Sequence, residues 1–234
     1  MRSAKRVGRT VGVLLFVQLF GLMFPFILIN GPIAFGDFMA AAAGSTPQIR
    51  VAVLLFFANA LVTIAIAVVA FPVFRRYGYG AALWILSMSV IWFCIQAVDS
   101  AHILSMMTLS ERFAAGGGAN AELYNLLAAM LRSTRRYVHY SELLVIDIWM
   151  AVLFGSLLRY ALVPQMMAGA CVLAVVLHTA AISLSAFVGY NPYMPLGVVL
   201  AFTYVAMGGW LVAKGFADRS APEDLNSTAV ALAA

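Results

Sequence analysis

"AALWILSMSVIWFCIQAVDSAHILSMM", Ala81 to Met107, decides the fold. As a helix it would be about 40 Å long at 1.5 Å per residue, more than the roughly 30 Å needed to cross the hydrocarbon core of a bilayer. A strand of a membrane barrel is about ten residues long and alternates polar with apolar side chains. This run does neither, so it reads as a membrane-spanning helix. Its last third departs from the pattern: Gln96, Asp99 and His102 recur at three-residue spacing, an amide, a carboxylate and an imidazole within two turns.

The rest of the chain repeats the apolar signal. Of its 234 residues 64% are hydrophobic and 10% charged, with a mean hydropathy of +0.98. A soluble domain is about 45–50% apolar and about 25% charged, and a soluble core of this size leaves too much surface in water for such a composition. Five further apolar runs are long enough to span: roughly Val11–Asn30, Val51–Phe74, Val138–Leu158, Val163–Phe187 and Met194–Val212. The expected architecture is all-α, a single six-span membrane bundle over residues 1–216, with a disordered cytoplasmic tail over 217–234.

Two connections are long. Gly31–Ile49 is rich in Gly, Pro and Ala, whereas Thr108–Tyr137 holds a Gly-rich turn followed by "AELYNLLAAMLRSTRRY". Leu123, Leu126, Leu127, Met130 and Leu131 fall there at helical spacing, which predicts a short amphipathic helix in the interface before the fourth span. Pro25 and Pro72 are placed to kink or end their spans. "YNPYMP" (Tyr190–Pro195) suits an aromatic belt and a helix start. "GGW" at Gly208–Trp210 suits close helix approach.

The net charge of +5 comes from basic residues mainly at the ends of apolar runs, so it reads as a topology signal and argues against nucleic acid. With the N-terminus inside, nine Lys and Arg lie in inner segments and five in outer ones, and the outer five include the cluster Arg132, Arg135 and Arg136. Both termini are therefore expected in the cytoplasm of a bacterium, with the chain in its inner membrane. The first apolar run is too long for a cleaved signal peptide, whose core is about 7–15 residues. Cys94 and Cys171 both lie inside apolar runs and give no disulfide framework.

The chemistry-bearing residues sit where they are expensive. All three histidines, His102, His139 and His178, fall within or at the edge of spans, as do the carboxylates Asp99, Glu142 and Asp147. Ionisable groups in a bilayer normally face the protein interior. His178 lies about 22 Å along the fifth span at the helical rise, which places all three imidazoles, with Asp99 and Glu142, in one layer in the outer third of the membrane. Asp99 and His102 share a face by their spacing, as do His139 and Glu142. Asp147 lies on a different stripe from Glu142 and stands outside this set.

Several chemistries fit such a layer. His102, His139 and His178 can ligate zinc, copper or iron, with Asp99 and Glu142 as general acid or base to a metal-bound water or as a proton relay. Haem held by two histidines ranks behind these metals. The first reading is a membrane-embedded metal-binding protein or metalloenzyme acting on a lipid-like or small apolar substrate. The alternatives are a proton-coupled or small-solute carrier, or a scaffold whose polar layer only pairs within itself. Whether the chain is an enzyme stays open, as does its oligomeric state. There is no HExxH, CxxC, P-loop, dinucleotide fingerprint or serine elbow.

"RVGRTVGVLLFVQLFGLM" at the start, "LLRYALVPQMMAGACVLAVV" (Leu157–Val176) and the closing "GGWLVAKG" (Gly208–Gly215) resemble a bacterial family known only as domain of unknown function 4386. The resemblance implies a six-helix integral membrane protein with basic N-terminal residues, and it implies no catalytic motif.

Overall fold

A computed structural model describes residues 3–35, 37–117, 120–189 and 193–218. Its helices are α1 (Ala4–Ile29), the short α2 (Phe38–Ala41), α3 (Thr46–Tyr77), α4 (Tyr79–Ala115), α5 (Ala121–Arg159), α6 (Gln165–Ser183) and α7 (Tyr193–Lys214). No strand forms among the described residues. Six of these helices are long and apolar enough to cross a membrane, so the chain is a multi-pass membrane protein. Most of the expected disordered tail, and half of "YNPYMP", lie outside the described residues.

The six long helices form a closed ring. Each packs on its neighbour in the chain, in the order α1, α3, α4, α5, α6, α7, and α7 returns to pack on α1. The connections explain the order. One residue, Gly78, separates α3 from α4, and an added Cβ there would stand 2.3 Å from the Tyr160 hydroxyl. A turn as short as that permits only an antiparallel neighbour. Tyr160–Pro164 joins α5 to α6 in the same way.

The ring closes through glycine. At Gly8 a Cβ would stand 2.1 Å from the backbone nitrogen of Phe216, and at Gly12 it would stand 2.6 Å from that of Val212. Gly208 faces the Phe16 ring, at 3.2 Å from the same imagined Cβ, which bears out the close approach expected of "GGW". Gly215 ends α7 at φ +73 with its added Cβ 2.1 Å from the Lys5 carbonyl oxygen, so both conformation and space require glycine there. Arg9 Nη2 donates to the Ala213 carbonyl at 3.1 Å, and the Ala217 N–H donates to the Leu162 carbonyl at 2.8 Å. These bonds seat the end of α7 against α1 and the α5–α6 turn.

Three expectations change in detail. The apolar stretch Leu123–Leu131 is helical but is no separate element: it forms the first turns of α5, with Leu123, Leu126 and Met130 facing outward. Pro25 and Pro72 lie inside α1 and α3, and neither ends its helix. The Gly31–Ile49 connection, read only as long and rich in Gly, Pro and Ala, is itself folded. It holds a π-helical turn (Asn30–Phe35), α2 and a 3₁₀ turn (Ala43–Ser45), and it buries Ile33, Phe38, Met39 and Ala42 against Ile103, Met106 and Met107 of α4. Ser110 Oγ donates to the Met39 carbonyl and accepts from the Ala43 N–H, both at 2.9 Å. Thr46 Oγ1 donates to Glu111 at 2.6 Å. This segment caps one end of the ring.

The interior has two apolar zones. One lies at the end that carries the chain termini, centred on Trp149, Phe154, Leu153 and Met207. The other lies under the cap, centred on Ile29, Phe56 and Ile103. Between them the first five spanning helices contribute buried polar side chains to a belt: Gln18 from α1, Asn59 and Thr63 from α3, Gln96 and Asp99 from α4, Glu142 and Asp147 from α5, His178 from α6. α7 adds the buried Tyr204 hydroxyl to the same belt. Lipid replaces water outside, so the helices turn their apolar sides out (Val90, Ile91 and Val98 of α4 are exposed) and their polar sides in.

Candidate functional site

The inward face of α4 runs through Ser89, Trp92, Gln96, Asp99, Ile103, Met106 and Ser110, a stripe spaced by three and four residues. It brings Asp99 against α5, where Arg135 Nε lies 3.4 Å from Oδ1 and Nη2 donates to Oδ2 at 3.5 Å. Both side chains are largely buried, at 2% and 12% exposure. Sequence reasoning put Arg135 in a basic surface cluster. Its guanidinium instead turns inward, because a carboxylate in the bundle must find a countercharge. Arg132, one turn earlier, stacks over the Phe38 ring at 5.3 Å.

One turn further along α5, His139 Nδ1 lies 3.4 Å from Glu142 Oε2, the local pair that the spacing predicted. The Phe26 ring meets the imidazole edge-on at 5.6 Å between centroids. Asp99, His139 and Glu142 each present one ligand atom, all within 4.8 Å of one another. A sequence-predicted cluster is thus assembled from three of its five members.

The other two members separate. His102 lies off the buried stripe of α4, partly exposed, and its Nδ1 bonds the Val98 carbonyl of its own helix at 2.8 Å. The expected Asp99–His102 pair is replaced by Asp99–Arg135, so the three imidazoles do not converge. His178 is buried and pairs with Asp147, whose two oxygens lie 2.8 and 3.0 Å from Nδ1. Thr179 Oγ1 donates to the same carboxylate at 3.0 Å. Asp147 is the residue that stripe-counting on α5 alone set aside, and it faces α6 instead. The signal that finds it is the hairpin: Asp147 lies thirteen residues before Tyr160, and His178 lies fourteen after Pro164. A tight antiparallel turn makes those positions level.

α4 and α5 run 37 and 39 residues, well beyond the spans drawn from hydropathy, so Asp99 and Glu142 fall close to their midpoints.

All six spans line a half-open cavity of about 180 Å³. His139, Glu142 and His178 open onto it, so both imidazole–carboxylate pairs border one space. Across from them, Gln18 Nε2 donates to Thr63 Oγ1 and the Tyr204 hydroxyl donates to Gln18 Oε1, a hydrogen-bonded chain tying α1, α3 and α7 together. Gln96 is buried with neither amide atom hydrogen-bonded.

Asp99, His139 and Glu142 fit a divalent cation by donor type and spacing. Arg135 weighs against one, since its guanidinium already neutralises Asp99. No curated protein and no solved structure matches the chain. The family model described as a domain of unknown function (DUF4386) matches residues 10–215, which is most of its length, and the chain belongs to that family.

Proposed function

We propose that the chain is a proton-coupled carrier of the bacterial inner membrane, with the His139–Glu142 and His178–Asp147 pairs as its proton-binding elements. The observation behind this reading is that both pairs border one cavity, the first through His139 and Glu142 and the second through His178. The pairing supports it. Arg135 matches Asp99, whereas Glu142 and Asp147 each have an imidazole as partner, a group whose chemistry allows it to bind and release a proton. Ionisable residues of this kind are the usual relay groups of membrane pumps and transporters.

Orientation follows the same line. Arg135 is engaged with Asp99, so one of the five cations that opposed an N-in topology is committed to an interior contact. Both termini in the cytoplasm is the reading this favours.

The test is proton flux in liposomes holding the purified protein, with an imposed potential and an internal pH dye. The wild type should exceed empty vesicles, and Asp147→Asn and Glu142→Gln should each lower the flux strongly. A wild-type flux equal to that of empty vesicles, or unaltered in both variants, would sink the carrier.

A metal-site reading has its own support in the spacing of Asp99, His139 and Glu142. Its mark would be a rise in melting temperature with added zinc, by mass action on the folded state, that vanishes in Glu142→Gln. His102 has no part in that site, and His178 is committed to Asp147.

A further inference from the structure

The seam between α4 and α5 carries a groove. One stretch is lined by Leu104, Leu109, Met130 and Leu131, with Arg112 at the end nearest the α4–α5 turn. A second stretch, lined by Ile95, Val98 and Val138, adjoins the first at Thr134, which belongs to both. They hold about 530 and 450 Å³ of open space, each within the roughly 300–1,000 Å³ of a ligand pocket. Val98, Met130 and Tyr137 are exposed along it, so the groove opens away from the bundle interior.

Its chemistry sorts along its length. Ser105, Thr134 and Ser141 line it, and each hydroxyl donates to a carbonyl of its own helix, at 2.8, 2.9 and 2.9 Å. These hydroxyls need no hydrogen bond from an occupant, so an apolar chain can lie against them. Arg112 differs. It is the one charged residue among those lining the two stretches. Its guanidinium has no hydrogen-bond or ion-pair partner among the described residues. The adjacent carboxylate, Glu111, accepts from Thr46 instead. An occupant with an apolar tail and an anionic head complements both parts.

Length sets the scale. Arg75 and Arg76 end α3, and α4 begins just after them at Tyr79. From Tyr79 to Arg112 is about 50 Å of helix at 1.5 Å per residue. A bilayer with its headgroups is about 40–45 Å thick, and spans tilt by about 20° on average and up to about 40°. Arg112 therefore reaches the headgroup layer opposite Arg76. The groove then descends about 25 Å of helix to Ile95, close to the depth of one leaflet. We propose that it seats an anionic phospholipid of that leaflet, with the phosphate at Arg112 and one acyl chain running to Ile95. None of these residues belongs to either imidazole–carboxylate pair, so the proposal is independent of the proton-carrier reading.

Native mass spectrometry of the purified protein, titrated with dioleoyl phosphatidylglycerol or dioleoyl phosphatidylcholine, makes the test. The two lipids share their acyl chains, and only the first carries a net charge. Phosphatidylglycerol should bind at least about fivefold more tightly, the effect of one cation on an anionic lipid. Arg112→Gln should bring the two lipids to within about twofold of each other. Arg136→Gln, an exposed cation of α5 outside the groove, should leave the preference unchanged. Thr134→Trp fills the junction of the two stretches from an exposed position and should weaken both lipids. Should that variant fail to fold, phosphatidylglycerol with a mid-chain diazirine, photolysed on the wild type, should label α4 and α5 along the groove. Labels confined to other helices, equal binding of the two lipids, or a preference that survives Arg112→Gln or is lost equally in Arg136→Gln would each overturn the assignment. So would lipid binding unmoved by Thr134→Trp, or a dimer without lipid preference that Thr134→Trp breaks.

Discussion

Replacing Arg135 with Leu should destabilise the bundle far more than loss of a surface cation would. The guanidinium lies 3.4 Å from Asp99, which is 2% exposed. At that distance and an effective dielectric of about 20, two unit charges attract by roughly 5 kcal/mol. Much of this offsets the desolvation of the two groups, so the measured loss is the penalty of leaving Asp99 buried and alone, about 3–5 kcal/mol. The pair's net worth is smaller. Asp99→Leu combined with Arg135→Leu should therefore recover most of the loss and come within about 1–2 kcal/mol of the wild type, because paired apolar replacements of buried ions are often neutral. The assay is reversible unfolding in mixed micelles, with all four corners of the double-mutant cycle measured under one condition. A loss below about 1 kcal/mol for Arg135→Leu would match an exposed ion pair, and would refute the burial of the Asp99–Arg135 pair on which the reasoning rests.

Three further outcomes follow from named contacts. Gly8→Ala should lower stability by about 1–3 kcal/mol, seen as a lower melting temperature, because its Cβ would stand 2.1 Å from the rigid backbone nitrogen of Phe216. Thr179→Val should cost about 1.5–3 kcal/mol in the same unfolding assay, the range for a hydrogen bond to a charged group, since Thr179 donates to Asp147 at 3.0 Å. His102→Ala should stay within about 0.5 kcal/mol of the wild type and leave proton flux untouched, because its imidazole bonds only its own helix.

The spans were legible because lipid imposes a simple rule on every residue that faces it, and a long apolar run has few other readings. The polar belt was legible for the complementary reason. Asp99, His139, Glu142 and His178 are expensive wherever they face lipid, so their presence in spans already implied an interior. Which of them meet was not legible from each helix alone. Stripe position on α5 separates Asp147 from Glu142 but says nothing of the helix that each one faces. Counting from the Tyr160–Pro164 turn would have paired Asp147 with His178, since a short turn fixes register between neighbours. Arg135 was misplaced because hydropathy ended the fourth span at Val138, while α5 continues to Ala121 with the arginine on its inner side. The seam of Gly8 and Gly12 against α7 joins the two ends of the sequence, and no local pattern announces which helix a small-residue face will meet.

Closure of the ring sets an order on its assembly during synthesis. Asp99 and Arg135 lie on consecutive spans, so their charges can be matched as soon as α5 follows α4 into the membrane. Asp147 must wait one span longer, for His178. Gln18 and the groove at Gly8 and Gly12 wait longest of all, since Tyr204, Val212 and Phe216 are nearly the last residues of the bundle to leave the ribosome. The first helix inserted is the last to be completed, and a chain halted before α7 would present an open polar interior to lipid, a form that a quality-control protease could distinguish from the finished protein.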